Sequence, residues 1–253
     1  MGTYSSVTRQ GAYEPFDLQI ARNQIDAHST VNIYGVNAAI GTSYTTVWEL
    51  GNTTAYAFPA SAASMNLASS VNTGADKTGT KVLIQGLDSN YESISETLTL
   101  NGTTAVATVN SYLRINSISV SSVTSNTMPT GTITLKDSTN TTTYAQMTAG
   151  NGRTQMSLYT VPAGYTFYLE RVNVYTDFNG SSAAYVSYRN YTASSTGIVN
   201  ITQQAPVTIS YEARRVMPRP FSEKTDIQLQ AKASTGTTFV SIAAEGYLIK
   251  NAD

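Results

Sequence analysis

From Ser43 onward, apolar residues alternate with Ser and Thr in short runs, and each run stops at Gly, Asn, Asp or Pro. Ser43–Leu50 ends at Gly51-Asn52, Lys81–Gln85 at Gly86-Leu87-Asp88, and Ser93–Leu100 at Asn101-Gly102. A period of two sends successive side chains to opposite faces, as a half-buried strand requires and a helix cannot satisfy. The runs recur about every 8–12 residues with no helical period between them, so the expected class is all-β, built as antiparallel β-sandwich or jelly-roll-like modules. The polar residues agree. Thr is stiff at χ1, and Ser and Asn compete for helical backbone hydrogen bonds, so a chain rich in all three disfavours helices. They replace charge: Asp, Glu, Lys and Arg make up 12% of the 253 residues, against about a quarter in ordinary globular chains.

Three segments are expected. Residues 1–36 read as an N-terminal arm, because Phe16–Ile25 is the one helix-length stretch and its period is ambiguous. Leu18, Ile20, Ala21 and Ile25 would share a helix face, whereas Phe16, Leu18 and Ile20 would share a strand face. Residues 37–150 read as a first β-sandwich module, with Ser93–Leu100 and Thr104–Val109 forming a hairpin about Asn101-Gly102, since a type I′ turn needs positive φ at both central residues. Strands follow at Tyr112–Val120 and Gly131–Lys136, and 137–153 reads as a hairpin tip running into a linker. Residues 151–253 read as a second, jelly-roll-like sandwich, with strands near Thr154–Thr160, Tyr165–Thr176, Ala183–Tyr191, Gly197–Ile201, Val207–Ala213, Thr225–Lys232 and Thr237–Ile249. A chain of this size buries about 70% of its extended surface, enough for two cores without staples.

Charge and chemistry narrow the function. A net charge of −1 gives no broad basic field, so neither nucleic acid nor an anionic membrane is expected as a partner. No cysteine and a single histidine argue against thiolate or histidine metal centres. The N-terminus carries no cationic and apolar leader, and no run approaches the length of a membrane span. The N-x-[ST] sequons at Asn52, Asn101, Asn140, Asn179, Asn190 and Asn200 are what an Asn- and Thr-rich chain produces by chance. His28, in Asp26-Ala27-His28-Ser29-Thr30, lies too close in sequence to its neighbours for a triad, whose members come from separate elements. Gly74–Lys81 has Thr80 and Lys81 in the wrong order for a phosphate loop and reads as a flexible hairpin loop. Glu92, Glu96, Asp177, Glu212 and Glu245 could supply a glycosidase pair, but nothing in the sequence pairs them. Asp88-Ser89-Asn90 and Asp137–Asn140 read as turn caps rather than calcium loops. The expectation is a protein without catalytic residues, metal or cofactor.

Surface groups point to binding instead. Tyr175, Tyr185, Tyr188 and Tyr191 are candidate surface aromatics, because a buried hydroxyl needs a partner and Tyr is enriched at interfaces. Arg214, Arg215 and Arg219, interleaved with Pro218 and Pro220, read as an extended loop rather than a strand and are candidates for a subunit interface. Tyr13, Phe16, Leu18, Ile20 and Ile25 join them, since so apolar an arm does not hang free in water.

Phe16–Asp26, Thr46-Val47-Trp48-Glu49-Leu50-Gly51, Tyr112-Leu113-Arg114-Ile115-Asn116 and Tyr159–Thr166 together resemble segments of virion structural proteins of tailed bacteriophages, most of all small all-β proteins that decorate or cement capsids. The resemblance implies no catalysis, synthesis in the host cytoplasm and residence on the capsid exterior. It also implies assembly as a homo-oligomer, with a trimer favoured, against the major capsid protein or other virion proteins. A tail, fibre or head-to-tail adaptor component is the alternative within the same virion. A carbohydrate-binding sandwich using Tyr188 or Tyr191 against a glycan is the alternative outside structural assembly.

Overall fold

A computed structural model describes residues 14–50, 55–124, 126–177 and 184–252. In chain order it contains α1 (Phe16–Ala21), β1 (His28–Ile40), β2 (Thr45–Thr46), β3 (Met65–Ser69), α2 (Gly74–Lys77), β4 (Lys81–Leu87), β5 (Ser93–Thr99), β6 (Val106–Ala107) and β7 (Arg114–Ser122). There follow β8 (Ile133–Asp137), β9 (Thr143–Met147), β10 (Leu158–Thr160), β11 (Tyr165–Asp177), β12 (Val186–Ser194), β13 (Val199–Val207), β14 (Ser210–Phe221), β15 (Thr225–Ala233) and β16 (Thr238–Lys250). The protein is all-β, and every strand pair is antiparallel.

The strands make two sandwiches. One packs the sheet β6-β3-β8-β9 with the sheet β5-β4-β7 over Leu67, Ile84, Ile118, Ile133, Leu135 and Met147. The other packs β1-β16-β11-β14 with β10-β15-β12-β13, the latter extended by β2, over Phe167, Leu169, Val172, Tyr188, Leu229 and Ile242. The period of two explains both cores: β16 alternates buried and half-buried residues along almost its whole length, so Val240, Ile242, Ala244 and Leu248 enter the core while Phe239, Ser241 and Ala243 face outward.

Connectivity departs from the expected segments. The expected arm runs through residue 36, yet His28 pairs with Ile249 and Val36 with Ser241, so β1 is a strand of the second sandwich. Thr45 and Thr46 join that sandwich through β15. The first sandwich is thus inserted between β2 and β10 of the second. The ladder gives the reason, since the 13-residue β1 finds a partner of equal length in β16, and unpaired backbone N–H and C=O groups would otherwise be left along it.

Three further expectations need correction. Asn101-Gly102 is not a hairpin turn, because β5 pairs with β4 while β6 pairs with β3 in the opposite sheet. The turn carries the chain across the sandwich, and other loops fix it: Gly102 N–H donates to Asp76 O at 2.8 Å, and Ser69 N–H donates to Gly102 O at 2.9 Å. Gly102 sits at φ +63°, where a Cβ would lie 2.1 Å from Asn72 Oδ1. Within Gly74–Lys81, residues 74–77 form one helical turn that buries Asp76 rather than a flexible loop. Arg214–Pro220 lies in β14, not in an extended loop, because β14 is a sheet edge where missing proline N–H groups break no second ladder.

Candidate functional site at an open sandwich edge

β13 and β14 are consecutive strands, and each is the last strand of its sheet. Register along β14 is broken. Leu169 faces Arg219 and Arg171 faces Arg214, so a short step of β11 is matched by a longer one of β14, and Arg215–Pro218 bulges out of the ladder. Val216 is 100% exposed and Met217 83% exposed at its tip. Ile209, between the two strands, and Ile198, Val199 and Ile201 at the start of β13 are also exposed. An exposed edge normally invites strand addition, which bulges and prolines suppress. This edge therefore discourages open-ended strand pairing while leaving apolar side chains exposed.

The arginines frame the bulge. Arg214 Nη2 lies 3.4 Å from Glu170 Oε1. Arg219 stacks over Phe221 at 5.2 Å. Burial and the neighbouring Arg215 guanidinium push Arg219 below the usual arginine range. Among the candidates named from sequence, Arg214, Arg215 and Arg219 are thus brought together with Val216 and Met217, which sequence reasoning passed over as part of the same segment.

The arm residues separate. Helices of six residues are not stable alone, so α1 depends on docking: Phe16 meets His28 and Tyr247 edge-on at 6.1 and 5.9 Å, and the Tyr247 hydroxyl donates to Asp17. Ile20 is buried within its own chain, a contribution of about 1.5–3 kcal/mol. Its assignment to a subunit interface is therefore corrected. Phe16 and Leu18 remain about half exposed, and Ile25 is half-buried. Tyr13 lies outside the described residues.

The tyrosines divide likewise. Tyr188 is not a surface aromatic. It is fully buried, its hydroxyl donates to Asn190 Oδ1, and its ring lies 6.2 Å from Tyr211. Burial raises its phenol well above the ordinary value, with the Tyr211 phenol adding to the rise. Tyr191 is half-buried beside Arg189, whose guanidinium stacks on Tyr44 at 3.9 Å. Tyr175 and Tyr185 are exposed.

Two buried charged sites went unread in the sequence. Arg114 of β7 binds Asp226 of β15 through two bonds, Nε–Oδ1 at 2.8 Å and Nη2–Oδ2 at 2.9 Å. Thr160 Oγ1 also donates to Asp226 Oδ1 at 2.6 Å, and the guanidinium lies 4.7 Å from the Phe58 ring centroid. This pair joins the two sandwiches. Its one sequence signal is an Arg between Leu113 and Ile115, but the partner is 112 residues away. Asp76 accepts from Ser69 Oγ at 2.5 Å, Thr130 N at 2.8 Å and Gly131 N at 3.1 Å. Burial alone would raise its carboxyl, but these donors outweigh it and hold the group below the ordinary range.

Other candidates for chemistry are local. His28 Nδ1 lies 2.8 Å from the Asp26 carbonyl within a turn. Asp137 caps its own loop, where the Thr141 hydroxyl and neighbouring donors lower its carboxyl to about 2. Among the described residues no three His, Cys, Asp or Glu side chains are grouped to hold a metal, and no helix is long and apolar enough to cross a membrane.

No family model and no curated protein matches the chain. Solved structures give remote similarities. One is infectious bursal disease virus Gx strain, at 11% identity over 89% of this chain and 72% of that chain, with a TM-score of 0.25. Another is the Gt strain of the same virus, at 11% identity over 88% and 80%, with a TM-score of 0.16. TM-scores of this size do not define a shared fold, and function has to be read from the chain's own surface.

Proposed function

We propose that the protein is a non-enzymatic virion structural protein that decorates or cements the capsid exterior of a tailed bacteriophage, through contacts between copies of itself that favour a trimer. The observation that carries this reading is the open flank formed by β13 and β14, with Val216 and Met217 held outward by the bulge. A residue that exposes its whole apolar side chain to water gains about 1.5–3 kcal/mol when a partner covers it. Low net charge supports the same reading, since like-charge repulsion between many copies stays small. The sequence resemblance to phage decoration proteins supplies the setting.

Light scattering over a concentration series tests it with three proteins: the full chain, the double substitution Val216→Asp with Met217→Asp, and a truncation beginning at Ala27. The truncation removes α1 but leaves β1 whole, whereas a start at Asn37 would strip most of β1 from β16. The full chain is expected to form a homo-oligomer, three times 27.1 kDa for a trimer. The charged edge should reduce it to monomer, with the truncation keeping the oligomer. A full chain that stays monomeric at every concentration, or an edge variant of unchanged mass, would overturn the reading.

A further inference from the structure

The outward face of the sheet β1-β16-β11-β14 carries a shallow trough of about 210 Å³. Its floor is made of small residues of β16, Ser241 and Ala243, and its flanks are Tyr34 of β1 and Tyr175 of β11. Register fixes this arrangement: Tyr34 faces Ala243 on one side of β16, and Tyr175 faces Ser241 on the other. The two tyrosines thus stand two strands apart and two residues apart along β16, a backbone separation of roughly 12 Å. Both tyrosines remain about half exposed, although each sits on a strand whose next residue is buried.

The polar groups specify what kind of ring. Asn173, beside Ala243 and opposite Glu212 in the ladder, lines the trough. Its Oδ1 is buried with no hydrogen-bond partner. A buried acceptor left unpaired is unfavourable, so the site calls for a donor from outside the chain. Glu212 adds a carboxylate, and Ser210 and Ser241 add hydroxyls. The nearby cation, Arg171, is held between Glu212 at 3.9 Å and Glu245 at 3.7 Å. The trough therefore offers acceptors and a negative charge, which suits hydroxyl donors and repels anions.

We propose that this trough is a binding site for a neutral saccharide, with one pyranose ring seated between Tyr34 and Tyr175 and its hydroxyls donating to Asn173 and Glu212. The volume limits the seat to a single ring, since pockets for larger ligands begin near about 300 Å³. Tyr34 also borders a second cleft of about 320 Å³ between the sandwiches, where Asn32, Gln85, Ser93 and Ser95 supply neutral hydrogen-bonding groups. Tyr34 is the ridge shared by both seats, so it governs a longer ligand. This site shares the strand β14 with the assembly reading through Ser210 and Glu212, but uses the sheet face rather than the bulge at Val216 and Met217.

The test is calorimetric and saturation-transfer titration of the full chain with maltohexaose, cellohexaose, xylohexaose and chitohexaose. Oligogalacturonate serves as the acidic counterpart. At least one neutral hexaose should bind and the acidic one should not. Tyr34→Ala and Tyr175→Ala should each weaken binding by about tenfold, the scale of one lost stacking partner. Tyr185→Ala, an exposed tyrosine elsewhere, should leave it unchanged. Far-UV circular dichroism checks that each variant is folded. Failure of every neutral hexaose to bind at millimolar concentration would overturn the proposal, as would binding that survives both tyrosine substitutions or an acidic ligand that binds equally well.

Discussion

Replacing Asp226 by Asn would strip the charge from the pair that joins the two sandwiches. Arg114 and Asp226 side chains are 11% and 10% exposed, so the guanidinium would be left in a site that water cannot fully reach. Removing one partner of such a pair is unfavourable by about 3–5 kcal/mol, a large share of the roughly 5–15 kcal/mol that stabilises a typical fold. The double substitution Arg114→Met with Asp226→Leu removes both charges and should be milder, because apolar replacements of buried pairs are often close to neutral. It still loses the Thr160 hydroxyl bond and the two bonds that Arg114 Nη1 donates to the Pro59 and Leu113 carbonyls, about 1 kcal/mol each. Urea unfolding is the assay. The single tryptophan, Trp48, is fully buried at the junction, in edge contact with Tyr56 at 5.0 Å, so its fluorescence reports this region directly. Circular dichroism reports the strands as a whole. The fluorescence transition of Asp226→Asn should move to clearly lower urea, with the double variant recovering part of the loss. A single variant within about 1 kcal/mol of the parent, or a double variant less stable than Asp226→Asn, would refute the reasoning.

Asp76→Asn should destabilise by about 2–4 kcal/mol at neutral pH, because two backbone donors and two hydroxyls lose a charged acceptor. The sign of its pH dependence follows from a carboxyl lowered in the fold: its stabilisation is complete above the ordinary carboxylate value near about 4 and is lost as pH falls through the lower folded value. Thermal unfolding from pH 7 to pH 2 should therefore show an acid loss in the parent that is smaller in Asp76→Asn, and equal slopes would count against the assignment. Gly86→Ala should lower stability by about 1–3 kcal/mol or more, because a Cβ there would lie 2.2 Å from the Arg114 carbonyl oxygen and 2.8 Å from the Tyr112 ring. A melting temperature unchanged by that substitution would show that the β4–β7 bulge relaxes freely.

Alternation along the chain was enough to read the all-β class and the approximate positions of the later strands, because a period of two is written locally in residues such as Val240, Ile242 and Ala244. Partner choice was not local. Nothing in Asn101-Gly102 says that the chain crosses to the other sheet rather than folding back, since Asp76 and Ser69, which hold the turn, lie well upstream. The insertion of one sandwich into the other was equally hidden, because β1 is separated from β16 by the whole of the first sandwich. At the candidate edge, the arginines drew notice by their charge, whereas Val216 and Met217 looked like ordinary apolar residues. Only the broken register between β11 and β14 turns them outward. Tyr188 shows the converse: Tyr185, Tyr188 and Tyr191 look alike in sequence, and nothing local marks Asn190 as the partner that satisfies the buried hydroxyl.

The most direct test of the central claim is hydrogen–deuterium exchange at the backbone amides of β14, measured on the same protein at low and high concentration. If copies join through this flank, protection around Arg214–Arg219 rises with concentration while the outward face of β5 in the other sandwich is unchanged. Exchange on β14 that is the same at both concentrations, in a sample shown by its mass to be oligomeric, would contradict the account and place the contact elsewhere.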